Sequence, residues 1–184
     1  MLLFRILLNI LFLLSIIAGI RFLQMNESRL PFWEKLPRER ISGGILGLIA
    51  LLAFIPNVKP LFPPEENLFW LIPAALILAV LCFLYLDHLF ARSAAACTIL
   101  LVHWMLGKSY EANLRFSWFF ALLSLIAGTF AIFIAAKPYW LRDCFRAMCR
   151  QFKWRLIGAV FSFLWGLSAL ILFVQLLMLR GTAK

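Results

Sequence analysis

The sequence is short of acid. Its 184 residues carry 8 Asp and Glu against 18 Lys and Arg, a formal net charge of +10. Only two of the acids are aspartates, Asp87 and Asp143. That leaves little for metal-dependent phosphoryl chemistry, which gathers several carboxylates around its ions. Histidine is scarcer still, with His88 and His103 alone. No Walker loop, dinucleotide-binding glycine pattern, GxSxG, HExxH or CDP-alcohol-type aspartate set is present. The four cysteines, Cys82, Cys97, Cys144 and Cys149, match neither a zinc spacing nor a redox CxxC. Cys82 and Cys97 lie inside apolar runs and behave as small hydrophobes. None falls in a segment expected outside, which argues against a disulfide framework. Long polar stretches are missing too, so no part of the chain builds a soluble core of its own.

Apolar residues are what the chain has instead. They make up 65% of it, and the mean hydropathy is +0.97. Soluble domains are nearer ~45–50% apolar. The excess recurs in long runs from end to end, which places the chain in the membrane class. The expected fold is all-α: a polytopic transmembrane bundle of about six spanning helices plus one cytoplasmic interfacial amphipathic helix, all in a single domain over residues 1–184.

Six apolar segments supply the spans: 2–23, 41–58, 68–86, 90–106, 116–136 and 156–179. The first resembles a signal peptide in composition. Ile17-Ala18-Gly19 is a poor cleavage site, however, and Arg21 follows at once, so a retained helix is expected. The fourth segment is short of the ~20 residues that a span needs. Charge decides its status. Arg29, Lys35, Arg38 and Arg40 follow the first span, and Lys137, Arg142, Arg146, Arg150, Lys153 and Arg155 follow the fifth. Both basic segments belong on the cytoplasmic side. An even number of crossings must separate them, so the fourth segment is expected to span. Both termini are then outside, in what is expected to be a bacterial inner (plasma) membrane. Lys59–Asn67, with Glu65 and Glu66, becomes an outer loop. Gly107–Arg115 becomes another.

Lipid tails are as apolar as leucine, so spanning helices associate through small residues that let backbones approach. Gly43 and Gly47, Ser124 and Gly128, and Gly158, Ser162 and Gly166 recur at four-residue steps and mark the expected packing faces. Segment 139–154 reads as the amphipathic helix. Leu141, Phe145, Met148 and Phe152 share one face, and Arg142, Arg146, Arg150 and Lys153 form a basic stripe beside it. That stripe is the expected contact with anionic lipid.

Ionisable residues at membrane depth are costly and usually functional. Asp87, His88, Arg92, Arg142 and Asp143 stand near one level and form the expected inner-face polar cluster. Asp87 is expected to pair with Arg142, and Asp143 with Arg92. Asn9 and Gln175 are expected to hydrogen-bond to neighbouring helices. The two histidines fall near opposite faces, which disfavours a haem. No cofactor, metal or catalytic residue is assigned. The reading is a non-catalytic accessory, assembly or scaffold component that contacts anionic lipid on the cytoplasmic face. A small transporter or channel is the alternative, and a lipid-active enzyme with a cytoplasmic-face site is the third. Anionic headgroups are the expected partner, and another membrane-protein subunit is a further candidate. Nucleic acid is not expected, because no recognition motif accompanies the basic charge.

Overall fold

The computed structural model describes residues 2–58 and 68–181. The fold is all-α, a helical bundle with no strand among the described residues. Eight α-helices follow one another: α1 Leu2–Leu23, α2 Leu30–Lys35, α3 Arg40–Val58, α4 Leu71–Tyr85, α5 Leu89–Glu111, α6 Ser117–Ala136, α7 Tyr139–Arg150 and α8 Phe152–Gly181. Five of them are long and apolar enough to cross a membrane: α1, α3, α5, α6 and α8. Their surfaces agree with that length. Ile6, Leu13 and Ile17 of α1, Ile132 and Phe133 of α6, and Ile157 and Leu167 of α8 are all exposed. A soluble monomer rarely shows apolar patches of that extent. The chain is an integral membrane protein.

The short apolar helix is the third, not the fourth. α4 has 15 residues, about 22 Å at 1.5 Å per residue. One 3-10 turn, Leu68–Trp70, precedes it. α5 was expected to be marginal, ending near residue 106, yet it has 23 residues. Gly107 and Lys108 look like the start of a loop in sequence. In the structure, Lys108 pairs with Glu111 at 2.6 Å and the Ser109 hydroxyl meets that of Ser117 at 2.6 Å. The helix continues to Glu111, and Asn113, with a φ of 46°, then turns the chain. Asparagine tolerates that left-handed conformation better than most residues. The segment Lys59–Asn67, with Glu65 and Glu66, lies outside the described residues.

Helical contacts fall into two units. The first holds α1, the part of α5 from Val102, α6 up to Ala127, the end of α7 and α8. Its centre is the antiparallel pair α1 and α8. Phe4, Leu8, Leu11, Ser15 and Gly19 are buried along one face of α1. A Cβ on Gly19 would sit 2.8 Å from the Phe163 ring, and one on Gly166 would sit 2.9 Å from the Ser15 Cβ. Gly158 is closed by Met148 and Phe22 in the same way. Two arginines lock the ends. Arg5 donates to the Leu176 carbonyl at 2.7 Å, and Arg155 donates to the Met25 carbonyl at 2.6 Å. Each stands in the first turn of its own helix and reaches the carbonyl end of the other, where cations are favoured. Ser124 is buried and accepts a hydrogen bond from the Trp165 indole at 3.0 Å. Ser162 is buried as well. Neither amide does what was expected. Asn9 is exposed, and the buried Oε1 of Gln175 has no hydrogen-bond partner.

The second unit holds α2, α3, α4, α5 up to Leu101, α6 from Gly128 and the start of α7. Here α3 runs antiparallel to α4 and parallel to α5. Gly43 makes the closest approach. A Cβ there would lie 2.8 Å from both Leu89 C and the Phe90 Cα, which are backbone atoms that cannot rotate away. Gly47 follows one turn later, with Ser93 Oγ 2.9 Å from where its Cβ would stand. Ala91 and Ala95 of α5 pack on Ala131 and Ile134 of α6, with Leu141 of α7 against them. Gly128 is buried.

Close approach makes a prediction at two glycines of opposite kind. Gly43→Ala should lower the apparent melting temperature in detergent, because overpacking against backbone costs about 1–3 kcal/mol. A Cβ on Gly107 meets nothing within 4 Å. Gly107→Ala should therefore be neutral or stabilising by up to about 1 kcal/mol, the difference in helix propensity. Equal effects at the two sites in a thermal unfolding assay would contradict this packing.

Candidate functional site

The turn between α4 and α5 is only three residues long, and it gathers the polar side chains of the second unit. α4 closes when the Leu86 N–H bonds back to the Cys82 carbonyl at 3.0 Å. His88 then takes a φ of 55°, a left-handed conformation uncommon for a residue that is not glycine. Leu89 is buried and seats the first turn of α5 against Gly43. That contact brings in the N-terminal end of α3 and the two arginines beside it, Arg38 and Arg40. With Leu86, Asp87 and His88 they line a pocket of about 420 Å³. The alanine contact between α5 and α6 brings in the start of α7, and with it Arg142.

The resulting field is positive. The His88 pKa is held below its ordinary 6.5. Partial burial is the main cause, followed by the charges of Arg38 and Arg142. Asp87 opposes them, and Arg92 adds a smaller push in the same direction. Three guanidiniums and one carboxylate thus act on one half-buried imidazole, which is neutral at pH 7. Its Nδ1 is buried without a hydrogen-bond partner. Asp87, Arg38, Arg40 and Arg92 are exposed.

Of the expected cluster, Asp87, Arg92 and Arg142 lie within electrostatic range of His88. The expected ion pairs do not form. Arg142 pairs with its chain neighbour Asp143 at 3.3 Å, a contact that orders no second segment. Among the described residues, Asp87 and Arg92 have no salt-bridge partner. Exposed pairs contribute roughly 0–1 kcal/mol, so nothing compels Asp87 to reach across. Asp143 is exposed.

The basic stripe is divided between two helices. α7 ends at Arg150, Gln151 is not helical, and α8 begins at Phe152. Phe152 and Lys153 therefore belong to the first turn of α8. Within α7, Phe145 and Cys149 are buried, Leu141, Arg142, Arg146 and Met148 are half-buried, and Arg150 is exposed. Lys153 is exposed too.

Sequence reasoning treated Arg38 and Arg40 as topology charges and missed their place in the site. The signal available was their position just before Gly43. His103 is exposed and belongs to the other unit. No group of three metal-ligating side chains occurs among the described residues. Burial pushes the Cys144 thiol above its usual value, so it is a poor nucleophile at neutral pH. The chemistry on offer at this site is anion binding by guanidinium groups beside a neutral imidazole.

His88 makes stability pH-dependent. The unfolded chain takes up a proton at its ordinary pKa, and the folded chain resists until lower pH. Stability should therefore fall as pH drops from 6.5 through the folded value. His88→Asn keeps a residue that tolerates the left-handed turn and should flatten that slope. Apparent melting temperatures measured between pH 7.5 and 5 test this; identical slopes in the two proteins would refute it.

No protein-family model matches the chain, and no curated protein or solved structure matches it significantly.

Proposed function

We propose that this integral membrane protein is a non-catalytic accessory, assembly or scaffold component that holds anionic phospholipid on its cytoplasmic face. The convergence of Arg38, Arg40, Arg92 and Arg142 on the His88 turn carries the reading. Two carboxylates at this place, Asp87 and Asp143, leave the cluster with an excess of positive charge. Phosphate oxygens are the acceptors that guanidinium geometry fits best. The partner of this charge is the phosphate of a lipid, abundant at the depth where these residues stand.

In this reading the two basic segments face the cytoplasm and both termini face the other side, in a bacterial inner membrane. α7 lies in the headgroup layer with Phe145 and Cys149 turned inward. Arg142, Arg146 and Arg150 add attraction to an anionic surface, at about 1 kcal/mol for each basic residue near it. The exposed apolar faces of the spanning helices leave room for a second membrane subunit beside the lipid.

Two measurements test the reading. Protein extracted from mixed phosphatidylglycerol and phosphatidylcholine vesicles should retain mainly phosphatidylglycerol, as seen by native mass spectrometry. Replacing Arg142 and Arg150 by glutamine should reduce that preference about fivefold for each residue; equal retention of both lipids by the unaltered protein would end the proposal. For orientation, single cysteines are placed at Gln151 and Tyr110, both exposed, in a chain whose four native cysteines are replaced. Gln151→Cys should react only with reagent that reaches the cytoplasm, and Tyr110→Cys with reagent supplied from outside. The reverse pattern would invert the topology.

A further inference from the structure

Beside the arginine pocket lies a second space of opposite character. It is a partly open cleft of about 350 Å³ between α3, α4 and α5, almost wholly apolar. That volume lies in the ~300–1,000 Å³ range of sites that hold small molecules. The cleft exists because its walls are small where the helices face one another: Gly44 and Gly47 on α3, Ala79 on α4, Ala96 on α5. Phe54 and Leu100 stand at its far end. Its near end is formed by Leu86, Leu89 and Arg92. Leu86 also lines the arginine pocket, so the two spaces adjoin. Arg92 is the one charged residue in the cleft wall.

Depth discriminates between occupants. Along α3 the lining runs from Gly44 to Phe54, about 15 Å at the helical rise. The hydrocarbon core is ~30 Å thick, so the cleft reaches through one leaflet. A helix from another subunit would want a groove of full thickness. A single acyl chain needs one leaflet and a polar anchor at the rim.

Resting on the lipid-holding reading above, we propose that this cleft binds one acyl chain of an anionic phospholipid, whose phosphate sits on Arg92 with Arg38 and Arg40 beside it. The site is thus specific for one bound lipid, in contrast to the diffuse attraction along α7. Arg92 is exposed and has no carboxylate partner among the described residues, so it needs no bond broken before it takes a phosphate. His88, neutral beside it, offers a hydrogen bond without adding charge.

The test uses the full chain in phosphatidylcholine nanodiscs, doped with phosphatidylglycerol bearing a diazirine midway along one acyl chain. After photolysis, label should concentrate on Phe54, Ala79 and Ile99. Unlabelled phosphatidylglycerol should compete, whereas phosphatidylcholine and inorganic phosphate should not. Arg92→Gln should weaken labelling about tenfold, the loss of one charge-assisted hydrogen bond. Ala96→Trp should fill the cleft and abolish labelling, while overall retention of phosphatidylglycerol persists through α7. Where Ala96→Trp fails to fold, Arg92→Gln carries the test, since its side chain is exposed. Label spread evenly over outward residues such as Leu14 and Leu167, or unchanged by Arg92→Gln, overturns the cleft site. If phosphatidylglycerol is still retained in that case, only the cleft proposal falls; if retention shows no anionic preference at all, the broader reading falls with it.

Discussion

Gly43 meets the backbone of Leu89 and Phe90 at a distance that no side chain would permit. Much of the second unit follows from that contact. It sets the height at which α5 begins beside α3. It therefore sets where the turn at Asp87 and His88 stands relative to Arg38 and Arg40. The same approach leaves Gly44 and Gly47 facing Ala79 and Ala96 with space between them. One missing methyl group thus produces a charged pocket and an apolar cleft side by side. In water, such a cleft would collapse or be filled by larger side chains. Within a bilayer, apolar chains are available on every side, and the gain from closing it is small.

That weak driving force explains how the first unit is held. Helices in lipid gain little by leaving it, so α1 and α8 rely on close packing and on bonds that lipid cannot replace. Gly19 and Gly166 supply the packing. Arg5 and Arg155 supply the bonds, one at each end of the pair. Arg155 meets the Met25 carbonyl just beyond the end of α1, and Arg5 meets the Leu176 carbonyl near the end of α8. Arg5 conflicts with the orientation rule if counted as a topology charge. As a clamp on Leu176 it has a structural task instead.

The imbalance of charge bears on function. Lys108 pairs with Glu111 and Arg142 with Asp143. A chain with so few acids cannot neutralise its own arginines. Around His88 the excess is concentrated, and it adds to partial burial, the main cause, in keeping the imidazole neutral. In the function proposed above, lipid phosphate supplies the counter-charge.

Long apolar runs were enough to establish an all-α membrane protein, because in lipid every backbone group must find its partner within its own helix. The stripes of Gly43 and Gly47, and of Gly158, Ser162 and Gly166, were visible at four-residue spacing for the same local reason. Helix ends were less legible. Gly107 suggests a stop, yet the hydrogen bond between the Ser109 and Ser117 hydroxyls and the pair of Lys108 with Glu111 carry α5 onward. Gln151 carries no such warning, yet it divides α7 from α8. Asp87, His88, Arg92 and Arg142 could be named from their shared level, but not their partners. Arg38 and Arg40 join them through the fit of Gly43 on Leu89, a contact between segments far apart in the chain. Local composition decides which stretches become helices and enter the bilayer. Which faces of those helices meet depends on shape at single positions, and that is settled only when the helices pack.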